Sequence, residues 1–134
     1  MLVLAALPGA APTGSVDVNF DGLRSTKGLL QICITTDPRH FPDCKGDPHA
    51  IARTISAVHP HLDLPALPAG DYALSVIHDE NGNGKLDTFA GIPREGVGFS
   101  RNPKLMFGPP GFAAVRFAVS GAGVPQSVRI KYFL

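Results

Sequence analysis

The sequence predicts an all-β fold: an antiparallel β-sandwich of about seven strands, with one long glycine/proline-rich loop. Fifteen glycines and thirteen prolines in 134 residues leave little room for long helices and favour short segments joined by tight turns. Several short runs alternate apolar and polar side chains, the period that buries one face of a strand. A hydrophobic fraction of 44% supports a core, and the length suits a single domain.

The first eleven residues, MLVLAALPGAA, are apolar and end in small residues like the last part of a secretory signal peptide, although no basic residue precedes them. Residues 1–13 are therefore read as a leader remnant and 14–134 as the domain. In SVDVNF, Val16, Val18 and Phe20 alternate with Ser15, Asp17 and Asn19, and in GLLQICIT, Leu30, Ile32 and Ile34 share a face. The polar DGLRSTK between these runs suggests a hairpin. Residues 36–50 carry three prolines and no periodicity, so they form a loop. A short strand is expected over 51–58, and a turn at Pro68, Ala69 and Gly70 leads into a central strand through Tyr72, Leu74 and Val76. Residues 79–111 form an extended excursion that local contacts or an ion must hold. Ala113 to Val119 and Gln126 to Phe133 alternate again and close the sandwich.

Cys33 and Cys44 flank a proline-containing segment and are suited to a disulfide in an oxidising compartment, contributing about 2 to 3 kcal/mol if unstrained. Two separate reduced cysteines are the alternative. Zinc is a weaker reading, since His40 and His49 match no compact ligand spacing. Twelve basic against eleven acidic residues give a net charge of +1, without the cationic excess of a nucleic-acid binder. No run reaches the roughly 18 to 20 apolar residues of a transmembrane helix.

The most specific local signal is HDENGNGKLD. Asp79, Asn81 and Asn83 place oxygen donors at alternate positions, Gly84 permits a sharp turn, and the Lys85 carbonyl and Asp87 extend the set, as in the opening of a calcium loop. Ala90 stands where a complete EF-hand loop has its bidentate Glu. Glu80 or Glu95 would complete the shell, Glu95 the better placed because the chain can return after Gly91 and Pro93. The alternative is a metal-free Asn/Gly turn closed by hydrogen bonds.

The segments DGLRSTKG, LPALPAGDYALSVIHDENGNGKLD, GIPREGVGFS and FGPPGFAAVRF resemble, in that order, the successive signatures of the bacterial domain of unknown function 2141 family. The resemblance runs from about Gly14 to Leu134 and implies no biochemical activity. Asp79, Asn81, Asn83, Gly84 and Asp87, with Leu67, Pro68, Gly70 and Tyr72 before them, also resemble calcium-loaded Cna-B-like repeats. That likeness implies a Cna-B-like or transthyretin-like topology and no particular ligand.

His78 beside Asp79 and Glu80 admits a small hydrolase or metal-dependent enzyme, but it reads better as a strand-end residue capping the loop. Ser75 and Ser100 lack a nucleophile elbow, and His59 and His61 read as exposed strand-edge residues. Residues 91–112 offer Phe99 and Phe107 with Arg94 and Arg101, and with His78 beside them, as a surface for a glycan, peptide or envelope protein. The alternative makes these aromatics a satellite core under a long loop. A small apolar-ligand carrier would instead need a cavity between the sheets. Together these features predict a non-catalytic binding or structural domain, periplasmic or secreted, with Ca2+ as its one candidate cofactor.

Overall fold

Alternating apolar residues build the core of the computed structural model, which describes residues 12–106 and 108–134. The 1–11 part of the expected leader and Phe107 lie outside the described residues. In order the elements are β1 (Thr13–Asp21), β2 (Leu29–Thr35), β3 (Ile51–Ser56), β4 (His61–Pro68), β5 (Gly70–Asp79), β6 (Thr88–Phe89), β7 (Ile92–Pro93), β8 (Gly96–Phe99), α1 (Phe112–Val115), β9 (Phe117–Val119) and β10 (Val124–Arg129). A three-stranded sheet, β10-β1-β4, packs on a five-stranded sheet in which β3-β2-β5-β8 run side by side and β9 pairs with the start of β5. The all-β sandwich is as the alternation predicts.

Val16, Val18 and Phe20 of β1 meet Leu30, Ile32 and Ile34 of β2 across the sandwich interior. The expected β1–β2 hairpin is therefore corrected: both apolar faces point inward, so the strands lie in opposite sheets and 22–28 cross between them. β1 pairs antiparallel with β4 and parallel with β10, while the other strand pairings among the described residues are antiparallel. A register shift opposite β1 lets β4 turn Leu62, Leu64 and Leu67 all inward despite their uneven spacing. Within the part read as leader, Thr13 pairs with Pro68, and the Ala69 N–H donates to the Pro12 carbonyl.

β8 lies inside the stretch expected to be wholly irregular. Its glycines are strand positions where the chain after β10 passes close: a Cβ on Gly96 would lie 2.5 Å from the Ile130 and Tyr132 side chains. The Val97 and Lys131 backbones exchange hydrogen bonds of 2.9 and 2.8 Å, tying the two sheets together along that edge. The expected strand at 113–119 is divided, one helical turn preceding β9.

The outer face of the five-stranded sheet carries two rows across four strands, Thr54–Gln31–Ile77–Val97 and Ala52–Cys33–Ser75–Phe99. Beside it a second cluster, Ala73, Val97, Phe99 and Val115, packs with Phe41, Leu105 and Phe112. Cys33 and Cys44 form a disulfide with Cα atoms 5.6 Å apart, which fastens loop 36–50 onto this face. No helix among the described residues is long and apolar enough to cross a membrane.

Candidate functional site

Parts of three of the segments that carry the family resemblance meet at the end of β5, through Arg24, Glu80 and Arg94, while residues 112–117 of the fourth lie against its start. Arg24, in the 22–28 crossover, donates from Nε and Nη2 to Glu80 Oε1 at 2.9 and 2.6 Å. Its other N–H groups reach the carbonyls of Leu134 at 2.8 Å and Arg94 at 3.2 Å. The guanidinium lies 4.5 Å from the centre of the Tyr132 ring, and Ser25 Oγ donates to Glu80 Oε2 at 2.7 Å. Arg24 thus clasps the acidic loop, the 92–95 segment and the chain end together, and holds the Glu80 carboxyl below its ordinary range. DGLRSTK reads in sequence as a polar turn, so this role is invisible there. Gly28 belongs to the same joint: at φ +71° a Cβ would overlap the Asp79 carbonyl and lie 2.7 Å from Glu80 Cα.

His78 is fully buried, so it is not part of the exposed binding surface expected of it. Its Nε2 is 2.8 Å from the Lys27 carbonyl, which can only accept, so Nε2 carries the proton. In the neutral ring Nδ1 then accepts from the Tyr132 hydroxyl at 2.6 Å, and that hydroxyl in turn accepts the Arg24 N–H at 3.1 Å. Both ring nitrogens are committed. The hydroxyls of Ser75 and Ser100 likewise donate to the carbonyls of Pro42 and Val115, at 2.7 and 2.6 Å.

The acidic loop closes on its own groups. Asp79 is fully buried at the end of β5, where Oδ1 accepts from Asn83 N–H at 3.2 Å and Oδ2 from Gly84 N–H at 2.8 Å and Gln31 Nε2 at 3.3 Å. Asp87 accepts from the side-chain amides of Asn81 and Asn83, both at 2.9 Å. Lys85 is exposed and its N–H donates to Asn83 Oδ1 at 3.1 Å. The chain returns as expected after Gly91 and Pro93, bringing Glu95 beside Asp79 and Asp87.

Glu95 is the anomaly. It is only 5% exposed, and neither carboxylate oxygen has a hydrogen-bond partner among the described residues. Burial first, and then Asp87 and the charge of Asp79, push its carboxyl up to about 8. A proton on Glu95 gives the pair the hydrogen bond that two carboxylates cannot form, and Asp87 falls to about 2 as the accepting partner, aided by Asn81 and Asn83. Glu80, Asn81, Asp87, Thr88, Arg94 and Glu95 line a cavity of about 480 Å3 here. No three His, Cys, Asp or Glu groups among the described residues stand together as a ready metal shell.

Arg94 is exposed and uses its backbone, donating N–H to the Asp87 carbonyl at 2.8 Å. Arg101 is exposed at φ +64°. Phe99 is buried at 8% exposure in the outer cluster, 6.0 Å from Phe41 centre to centre, as the satellite-core alternative has it rather than as an exposed aromatic. His61 bridges Asn19 at 2.8 Å and Asp17 at 2.7 Å on the outer side of the three-stranded sheet, and His59 is exposed. The large apolar concavity, about 1160 Å3, lies over the outer face of the five-stranded sheet and not between the sheets. Its walls are the disulfide-fastened loop and residues 84–93, and Thr88 borders both it and the acidic cavity.

A family model described as "Uncharacterized protein conserved in bacteria (DUF2141)" matches residues 18–127. No curated protein and no solved structure matches the chain. The likeness to Cna-B-like repeats rests on the quoted residues of the acidic loop and of the Leu67–Tyr72 turn alone.

Proposed function

The chain belongs to the DUF2141 family of bacterial proteins, and we propose that it works outside the cytoplasm as a non-catalytic binding or structural domain whose acidic loop takes up calcium. The observation that carries this reading is Glu95, a buried group whose ionised carboxylate has no hydrogen-bond partner among the described residues, facing a cavity it shares with Asp87 and set beside Asp79. Burying an unpaired carboxylate is costly, and the cost is removed by a proton or by a cation. Calcium suits the donor set: carboxylates of Asp79, Asp87 and Glu95 with amide oxygens of Asn81 and Asn83 are hard oxygen ligands in a flexible loop. Taking up the ion requires the Asn81 and Asn83 amides to turn their N–H2 groups away from Asp87.

The Cys33–Cys44 disulfide supports an oxidising compartment. A non-catalytic role is supported by the full commitment of His78, Ser75 and Ser100 to structural hydrogen bonds. Calorimetric titration with calcium tests the reading. One-site binding, lost in Asp87→Asn and weakened in Glu95→Gln, is expected; binding that both variants retain, or none in the parent, overturns it.

A further inference from the structure

We propose that the concavity on the outer face of the five-stranded sheet binds a single-chain anionic amphiphile, namely a free fatty acid. The inference deepens the binding half of the reading above and does not depend on the metal.

Of the six large hydrophobic side chains exposed among the described residues, four line this one groove: Leu86, Ile92, Met106 and Phe133. Apolar exposure gathered in one place marks a binding surface, whereas scattered exposure does not. The groove floor favours hydrocarbon over a sugar or peptide, because its polar groups are already engaged. Thr54 Oγ1 donates to Gln31 Oε1 at 2.6 Å, Gln31 Nε2 donates to Asp79, and Ser75 Oγ donates to the Pro42 carbonyl. Little remains in these floor side chains to pair with hydroxyls or a peptide backbone, so a ligand polar along its whole length would leave groups facing the floor unsatisfied.

The charged groups of the lining then select the head group. Lys45, Arg53 and Lys85 stand against one carboxylate, Asp43, and none of the three cations takes part in an ion pair among the described residues. An acyl chain along the apolar strip with its carboxylate toward these cations satisfies both halves of the site. At about 1160 Å3 the groove has room for such a molecule.

The test uses the full oxidised, delipidated chain with laurate below its micelle concentration and dodecan-1-ol as the uncharged match, each in saturating calcium and in chelator. Saturable one-to-one laurate binding is expected, with the alcohol weaker. Leu86→Asp and Met106→Asp, both at exposed positions, should each weaken laurate about tenfold or more. Arg53→Gln together with Lys45→Gln should weaken laurate and leave the alcohol unchanged. The proposal is overturned by the absence of saturable binding, by equal affinity for acid and alcohol, by indifference to the two Asp substitutions, by binding to anionic vesicles alone, or by a dimer that covers the groove. Laurate binding that persists in chelator while calcium leaves the unfolding midpoint unmoved would retain the groove and discard the metal, so the two readings fail separately.

Discussion

Replacing Glu95 with glutamine should stabilise the calcium-free protein above pH 6 and flatten its dependence on pH. Folding raises the Glu95 carboxyl from 4.5 to about 8. Between those values the folded chain holds a proton that the unfolded chain has released, so stability is greatest at the acid end and falls as pH rises. At about 1.4 kcal/mol per pH unit, the loss from pH 5 to pH 8 comes to about 3 kcal/mol. Asp87 has the opposite sign: its carboxyl is depressed to about 2, so its contribution is present above its unfolded value and is lost only as pH falls through the acid range. The glutamine amide of the variant neither titrates nor requires a cation, and it can donate to Asp87. The assay is urea unfolding followed by far-UV circular dichroism, the chain having no tryptophan, in chelator at pH 5, 6, 7 and 8. Other titrating groups cancel in the difference between parent and variant. Parallel stability profiles across that range would refute the assignment of Glu95 as the buried, unpaired acid.

Other substitutions probe the frame around the site. Arg24→Ala removes the clasp to Glu80, the Tyr132 stacking and two carbonyl contacts, and should cost about 1 to 2 kcal/mol in urea unfolding, more at low salt than at high. Gly28→Ala forces a Cβ into the Asp79 carbonyl at positive φ and should destabilise by about 2 kcal/mol or more, whereas Gly82→Ala, with open space around it, should cost about 1 kcal/mol from its backbone conformation alone. Paired Cys33→Ser and Cys44→Ser should lower stability by about 2 to 3 kcal/mol, and dithiothreitol should move the parent midpoint toward that of the variant.

The strands whose faces differ in polarity were readable. Val16, Val18 and Phe20, and Leu30, Ile32 and Ile34, announce their buried faces by a period of two, and these residues form the core. Strand pairing is set by contacts far apart in sequence, so the same alternation is compatible with a β1–β2 hairpin or with two facing sheets. The parallel β1–β10 pair joins the two ends of the domain and leaves no local mark. β8 was hidden for a different reason. Its glycines resemble loop residues, yet Gly96 and Gly98 are required by the close approach of Ile130, Tyr132 and Val128.

At the site, the Asp79–Asp87 spacing and the return of the chain at Glu95 could be read from the residues, because turn chemistry is local. Arg24 could not: its partners lie 56 and 110 positions away in Glu80 and Leu134. The outer groove was equally hidden, since it arises only when the 36–50 loop and the 84–93 excursion rise on either side of one sheet face. Phe99 shows the limit of composition, for an aromatic among glycines and prolines fits an exposed platform as well as a buried cluster, and here it is buried.

Thermal unfolding of the oxidised protein at pH 7, with excess calcium and after exhaustive chelation, tests most directly whether the acidic loop is a metal site. At a calcium concentration about 100 times the dissociation constant, the midpoint should rise by about 10 °C, with little change in Glu95→Gln and none in Asp87→Asn. Coincident transitions with and without calcium in the parent protein would contradict the metal assignment and leave Glu95 as a buried acid satisfied by its own proton.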